Sequence, residues 1–195
     1  MKFFILAFLS LVITSCSYSD PTLATFEKIC KHAFSATDKK DVQRDLSRII
    51  ASFESSRSTI PLYYLRVSQI YFRLGDTRKA LIEVKKEHDL LGKMATGALL
   101  VITGNKVEGN RILSALAQIY YTRIVQETKN RKTKLRQASN IAIVSKIVGV
   151  NDINGLLAAL ENNGILSKAE VGIVRNYVNL DRDQILATIW PKPLR

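Results

Sequence analysis

The sequence predicts an all-α fold, either a solenoid of helical hairpins or a compact α bundle. Apolar residues recur at helical spacing from residue 21 onward. No stretch alternates apolar and polar residues over enough positions to form a sheet. The 195 residues are 47% hydrophobic and contain two Cys, which is enough for a hydrophobic core and excludes a disulfide framework. We therefore expect about nine helices joined by short turns.

The first helix is expected to begin at Asp20-Pro21, an N-cap residue followed by proline at the first helical position. Its apolar stripe consists of Phe26, Ile29, Cys30 and Ala33. Cys30 is therefore expected to be a packing thiol. His32 is the one adjacent base and lies on a different face, and no second cysteine is close in sequence.

The second helix is expected from Asp38 onward, because apolar residues again follow a helical spacing there. These residues are Val42, Leu46, Ile49, Ile50 and Phe53. The polar stretch 54–59 is typical of a loop, and Pro61 is expected to open the third helix.

Residues 61–92 contain the most informative pattern in the chain. Aromatic, aliphatic, small and glycine residues stand there at the positions characteristic of a helical-hairpin repeat: Tyr64, Val67, Ser68, Tyr71, Gly75, Ala80 and Val84. The segment resembles a tetratricopeptide repeat, which implies two antiparallel helices in close contact. Repeats of this kind need neighbouring helices to bury their apolar faces.

Each residue type has a physical reason in such a hairpin. Small Ser68 and Ala80 allow two helices to approach, and Gly75 can adopt the positive φ that ends the first helix. The segment departs from the repeat family at Glu87, where a small residue is usual, and at Gly92, where proline is common.

A second, degenerate repeat is expected to follow. Gly97, Gly104, Gly109 and Leu113 occupy its small, turn, small and apolar positions. The almost entirely apolar stretch 94–104 predicts a short helix that is buried on most sides.

The C-terminal half predicts further helices from their capping residues. Two amphipathic helices are expected on either side of the basic segment 128–136. Asp152 is expected to cap the next helix, Ser167 and Glu170 form a capping-box pattern, and the last helix is expected over Asp181 to Ile189.

The N-terminal segment has the features of an export signal: Lys2, an apolar run from Phe3 to Ile13, and small residues before Cys16. The tetrad Ile13-Thr14-Ser15-Cys16 resembles the lipobox of bacterial lipoproteins, in which the cysteine is lipidated and becomes the first mature residue. The resemblance implies a signal peptide over 1–15 and a lipidated tether over 16–20, and the helical periodicity that follows predicts a single all-α domain over 21–195. A plain secretory signal and an uncleaved anchor remain alternatives.

The same resemblance implies where the protein is located. In lipoproteins, a serine after the lipidated cysteine, here Ser17, directs the protein to the outer membrane. We therefore expect an anchor at the periplasmic face of that membrane. Although the formal net charge is +12, export makes nucleic acid an unexpected partner, and anionic lipid or an acidic protein surface fits the charge better.

The motif content does not favour catalysis. The sequence contains no phosphate-binding glycine loop, HExxH zinc motif, nucleophile elbow or CxxC pair, and its only histidines are His32 and His88. We therefore expect no enzyme activity, no cofactor and no metal site.

One charged segment stands out. It contains five cations within eight residues: Lys129, Arg131, Lys132, Lys134 and Arg136. It could bind the anionic head groups of a phospholipid surface, and the alternative interpretation is a solvated loop between helices.

Two tyrosines are predicted to contact a partner. The repeat spacing assigns Tyr64 and Tyr71 to packing between helices, which leaves Tyr63 and Tyr121 available. The leading hypothesis is a protein-binding scaffold or assembly subunit of an envelope complex in secretion, pilus or conjugation machinery. The alternative is an exclusion or immunity lipoprotein directed against a phage, plasmid or toxin.

Overall fold

The computed structural model of the chain describes residues 20–127, 130–150 and 152–194. Within these residues the protein contains ten α-helices, one short 3₁₀ turn at Glu54–Ser56 and no strand. The helices are α1 (Pro21–Ser35), α2 (Lys39–Phe53), α3 (Tyr63–Arg73), α4 (Thr77–Val84), α5 (Leu90–Ile102), α6 (Lys106–Gln126), α7 (Arg131–Val148), α8 (Ile153–Asn162), α9 (Lys168–Val178) and α10 (Arg182–Ile189). The predicted all-α fold is confirmed.

The chain divides into two compact units. The first contains the residues up to Ala80 together with the C-terminal residues from Pro191, and the second spans Leu81–Trp190. The predicted signal peptide and all but the last residue of the predicted tether lie outside the described residues.

In the first unit, α1, α2 and α3 pack around one apolar core. The predicted stripe of α1, from Phe26 to Ala33, is buried. The ring of Phe26 stacks on Tyr63 with centroids 5.6 Å apart, and it meets Phe53 edge-on at 5.5 Å. These aromatic contacts join all three helices, since each ring comes from a different one.

The predicted starts of α1 and α2 are confirmed by their caps. The carboxylate of Asp20 accepts a hydrogen bond from the Thr22 backbone N–H, and that of Asp38 accepts one from the Lys40 N–H, both at 2.8 Å. Such bonds satisfy backbone donors that have no partner within the helix.

The start of α3 differs from the sequence prediction. The helix was expected to open at Pro61 but begins at Tyr63. Leu62 has a φ of +59°, in the left-handed region, so the chain turns there before the helix can start.

The predicted turn after α3 is confirmed. Gly75 has a φ of +87°, its N–H donates to the Phe72 carbonyl, and the Asp76 N–H donates to the Tyr71 carbonyl, both at 2.9 Å. This pair of bonds is a Schellman motif. The following helix, α4, ends at Val84, before the end of the repeat-like segment.

In the second unit, three consecutive helices, α5, α6 and α7, pack side by side. Helix α6 packs along both α5 and α7, while α7 also contacts α8, α9 and α10. Gly104, with a φ of +95°, forms the turn between α5 and α6. The indole N–H of Trp190 donates to the Ala95 carbonyl at 3.1 Å, which ties the end of α10 to α5.

The caps predicted for the last three helices are confirmed. Asp152 accepts from the Gly155 N–H, and a reciprocal capping box joins Ser167 and Glu170. Asp181 forms a second capping box with Gln184. These side chains fix the starts of α8, α9 and α10.

Candidate functional site

The described part of the chain contains no group of three or more His, Cys, Asp or Glu side chains that could hold a metal ion. Two arrangements of potentially reactive groups in this part of the chain are the Cys30 thiol and the pair formed by His32 and Asp45. Both lie in the first unit.

Cys30 is buried in the core of the first unit, with 1% of its surface exposed. Burial, and to a smaller extent the neighbouring Glu27 carboxylate, raises the pKa of its thiol to about 12. The nucleophilic thiolate is therefore rare at neutral pH. The prediction of a packing thiol is consistent with this burial.

His32 on α1 contacts Asp45 on α2. The imidazole Nδ1 lies 2.5 Å from Asp45 Oδ2, and the carboxylate also lies 3.9 Å from the Arg48 guanidinium. The Asp45 side chain is 2% exposed, whereas that of His32 is 55% exposed. The pair joins two helices and gives a buried carboxylate a hydrogen-bond donor.

The sequence prediction that Tyr63 faces a partner is wrong. Tyr63 is only 4% exposed, because its ring stacks on Phe26 inside the core of the first unit. The start of α3 at Tyr63 directs this side chain inward, while Tyr64 is half-buried. Tyr121 is 40% exposed, so its expected contact with a partner stays a prediction.

The basic segment is part of a helix. Helix α7 begins at Arg131, so Arg131, Lys132, Lys134 and Arg136 occupy its first two turns, where a loop had been expected. Asn130 caps the helix by accepting from the Thr133 N–H at 3.0 Å, which explains the early start. Lys129 lies outside the described residues.

The first of these cations is engaged within the protein. Arg131 Nε donates to Glu170 Oε1 at 2.7 Å, and the Glu170 side chain is 9% exposed. Burial tends to raise the pKa of Glu170, but hydrogen bonds from Ser167 and Arg131 outweigh it and hold the pKa below its ordinary value. Arg131 therefore joins α7 to α9, while Lys132 and Arg136 are exposed.

A further cation, Arg123 on α6, was not among the site residues predicted from the sequence. Tyr120 is buried, and its hydroxyl donates to the Leu90 carbonyl at 3.4 Å. Burial, and to a smaller extent Asp89, raises the pKa of Tyr120 to about 12, although the guanidinium groups of Arg123 and Arg136 oppose the shift. Arg123 on α6 and Arg136 on α7 thus both act electrostatically on the same phenol.

The end of the α6–α7 hairpin combines these cations with exposed apolar side chains. Tyr121 is 40% exposed and Val125 is 48% exposed, and both belong to the last two turns of α6. We call the group formed by Tyr121, Arg123, Val125, Lys132 and Arg136 the basic tip. Among described residues between Arg111 and Asp152, Glu127 is the only acidic one.

The opposite end of α6 has a different surface. Ile102 is 37% exposed and Val107 is 86% exposed, on either side of the turn at Gly104. Beside them, Glu108 and Arg111 form two hydrogen bonds of 2.7 Å in a bidentate ion pair. We call Ile102, Val107, Glu108 and Arg111 the apolar turn.

The spacing of apolar residues along α6 contains a signal for the apolar turn. The buried stripe of α6 runs through Gly109, Leu113, Leu116, Tyr120 and Ile124. Val107 is apolar but does not follow this spacing, so it cannot join the buried stripe. A large apolar residue outside the buried stripe of its helix is therefore the sequence feature that indicates an exposed apolar surface.

Comparison with known proteins finds no match for this chain: no family model, curated protein or solved structure matches it. Among the described helices, none is both long and apolar enough to cross a membrane.

Proposed function

We propose that this protein is a lipid-anchored, non-enzymatic scaffold that binds another protein of the bacterial envelope. It would act as an assembly subunit of secretion, pilus or conjugation machinery at the periplasmic face of the outer membrane. The observation that carries the protein-binding part is the apolar turn, where two large aliphatic side chains are exposed beside a paired charge.

The composition of the apolar turn favours a protein partner. Protein interfaces typically have an apolar centre surrounded by polar groups that remain partly solvated. Ile102 and Val107 would supply the centre, and the ion pair of Glu108 with Arg111 would supply the rim without net charge. An uncharged rim favours neither an anionic membrane nor nucleic acid.

The anchoring part of the proposal rests on the sequence. The tetrad ending at Cys16 and the preceding apolar run support lipidation, and acyl chains bind a bilayer with about 0.8 kcal/mol per buried CH₂. The short stretch between Cys16 and the helix start at Pro21 would hold the first unit near the membrane.

The experiment is affinity purification of the tagged full-length protein from detergent-solubilised envelopes, with mass spectrometry of the mature N-terminus and of the bound proteins. Cys16→Ala tests the anchor, and Val107→Asp tests the apolar turn. Ile173→Asp is the matched control, because Ile173 is also exposed, at 46%, but lies on α9.

We expect acylated Cys16 and a stoichiometric envelope protein that is retained by Ile173→Asp and lost in Val107→Asp. Retention of the same protein by Val107→Asp would contradict the binding site. An acylated protein that purifies alone would instead favour the immunity function, in which the target is absent from the cell until a phage or toxin enters.

A further inference from the structure

We propose that the basic tip docks against a bilayer containing anionic phospholipids. This contact goes beyond the proposed function, because it requires neither acylation of Cys16 nor a protein partner. It gives the second unit a lipid contact of its own.

The hairpin of α6 and α7 determines where the members of the basic tip lie. Helix α6 ends at Gln126 and α7 begins at Arg131, so the connection is too short for a crossover and the two contacting helices are antiparallel. At a rise of about 1.5 Å per residue, Tyr121 and Arg136 each lie within about 8 Å of the end of the hairpin along the helix axes. All members of the basic tip therefore lie near the same end of the hairpin.

The cations at the start of α7 are unfavourable for the isolated helix. The N-terminus of a helix carries a partial positive charge, which favours acidic side chains in the first turn. Helix α7 has no acidic residue in its first turn and begins with Arg131 and Lys132. Glu170 compensates the charge of Arg131. Within the described part of the chain, neither Lys132 nor Arg136 forms an ion pair.

Phosphate groups would compensate this uncancelled charge. An anionic head group near Lys132 and Arg136 would reduce both the repulsion between cations and the conflict with the helix dipole. Each cation close to an anionic leaflet adds to the attraction toward that surface. Cations at this end of α7 oppose the stability of the helix, and a role in binding would explain their presence there.

The basic tip also carries a pair of exposed apolar side chains. Tyr121 and Val125 are one helical turn apart, so they lie on the same side of α6. Tyrosine rings are enriched where a membrane meets water, because one end of the ring is apolar and the other is polar. Cations beside a tyrosine and an aliphatic side chain are the combination by which amphipathic helices bind an anionic bilayer surface.

The experiment uses tryptophan fluorescence in the full-length protein. Tyr121→Trp introduces a reporter indole at the basic tip, and the native Trp190, the only tryptophan in the sequence, is 2% exposed and serves as an internal reference. The protein is mixed with vesicles of brominated phosphatidylcholine, either alone or with phosphatidylglycerol. Bromine quenches a tryptophan that enters the lipid.

We expect the reporter indole to lose its emission with phosphatidylglycerol vesicles and to lose little with phosphatidylcholine alone, while the Trp190 emission is unchanged in both. In 1 M NaCl the screening length falls to about 3 Å, so the quenching should disappear without any further mutation. Val107→Trp, at the other end of α6, should not be quenched. Vesicle flotation in the same samples reports anchoring separately.

The charge requirement is tested in the Tyr121→Trp background by Arg123→Gln, Lys132→Gln and Arg136→Gln together. The matched control removes three exposed cations of the first unit: Lys28→Gln, Lys31→Gln and Lys40→Gln. Only the three substitutions at the basic tip should abolish the quenching of the reporter indole. Equal quenching of the reporter indole in the two triple variants, or quenching that persists in 1 M NaCl, would overturn the proposal. A reporter indole that stays unquenched in phosphatidylglycerol vesicles would also overturn it, and would assign the cations to an acidic protein instead.

Discussion

Gly97 on α5 and Gly109 on α6 lie directly against each other in the second unit. A Cβ atom on Gly109 would stand 2.7 Å from the Gly97 carbonyl oxygen, and one on Gly97 would stand 3.2 Å from the Gly109 oxygen. The two backbones therefore approach at a point where neither helix can carry a side chain. This contact positions α6, whose two ends carry the apolar turn and the basic tip.

Gly109→Ala should destabilise the protein. Alanine normally favours a helix interior over glycine, but here its methyl group would meet the Gly97 oxygen and the Val101 side chain at 2.7 and 2.8 Å. We expect a loss of about 1–3 kcal/mol in the free energy of unfolding, measured by urea denaturation. Gly172→Ala is the control, since nothing lies within 4 Å of its Cβ and it should gain about 0.5–1 kcal/mol. A gain in both variants would contradict the close approach.

The effect of a substitution at Gly75 on stability should depend on the backbone conformation that the new residue prefers and not on the volume of its side chain. Its φ is +87°, yet a Cβ atom there would have no neighbour within 4 Å. Gly75→Val should therefore lower the free energy of unfolding by about 1–2 kcal/mol, through backbone strain alone. Gly75→Asn should cost less, because asparagine tolerates the left-handed region. Equal losses from both substitutions, measured by thermal unfolding, would argue against this explanation.

Local signals in the sequence predicted much of the fold. The caps at Asp20, Asp152 and Ser167 and the turn at Gly75 were predicted because each depends on residues within a few positions. Leu62 was not predicted, since a leucine with positive φ is chosen by the surrounding packing and not by its own preference.

The candidate site was less predictable for the same reason. Helical periodicity assigns a residue to a stripe but does not say which neighbouring element covers it. Tyr63 was expected to be exposed, but Phe26, 37 residues earlier, covers it. The ion pair of Arg131 with Glu170 likewise joins residues 39 positions apart, and no local pattern reports it. Arg123 and Arg136 come from different helices and both act electrostatically on Tyr120, which no local pattern in the sequence reports.

The contact of His32 with Asp45 should stabilise the first unit. His32→Ala would leave a buried carboxylate without its closest donor, so we expect a loss of about 1–3 kcal/mol. Asp45→Ala removes the other partner. If the two groups interact, the double variant should lose less than the sum of the single losses. Strictly additive losses in urea denaturation would show that the contact contributes nothing.

Cys30 should be chemically inert in the folded protein. Its thiol is 1% exposed and its pKa is about 12, chiefly because of burial. In a Cys16→Ser variant, where Cys30 is the only cysteine, iodoacetamide at pH 8 should react at the rate of unfolding and not at the rate of a free thiol. Urea should restore fast labelling. Fast labelling without urea would mean that the core of the first unit opens readily.

The Glu170 carboxylate should make stability depend on pH. Its pKa is lowered in the folded protein, since hydrogen bonds from Ser167 and Arg131 outweigh the effect of burial. A carboxyl group with a depressed folded pKa contributes stability above its ordinary value of 4.5, and loses it as the pH falls through the folded pKa. Glu170→Gln should therefore be less stable than the unmodified protein at pH 7, and the difference should shrink as the pH falls below 4.5. Urea denaturation across this range measures the difference directly. Glu161→Gln, on α8, is the control for loss of one acidic group, and a difference for Glu170→Gln that stays constant with pH would contradict the charged contact.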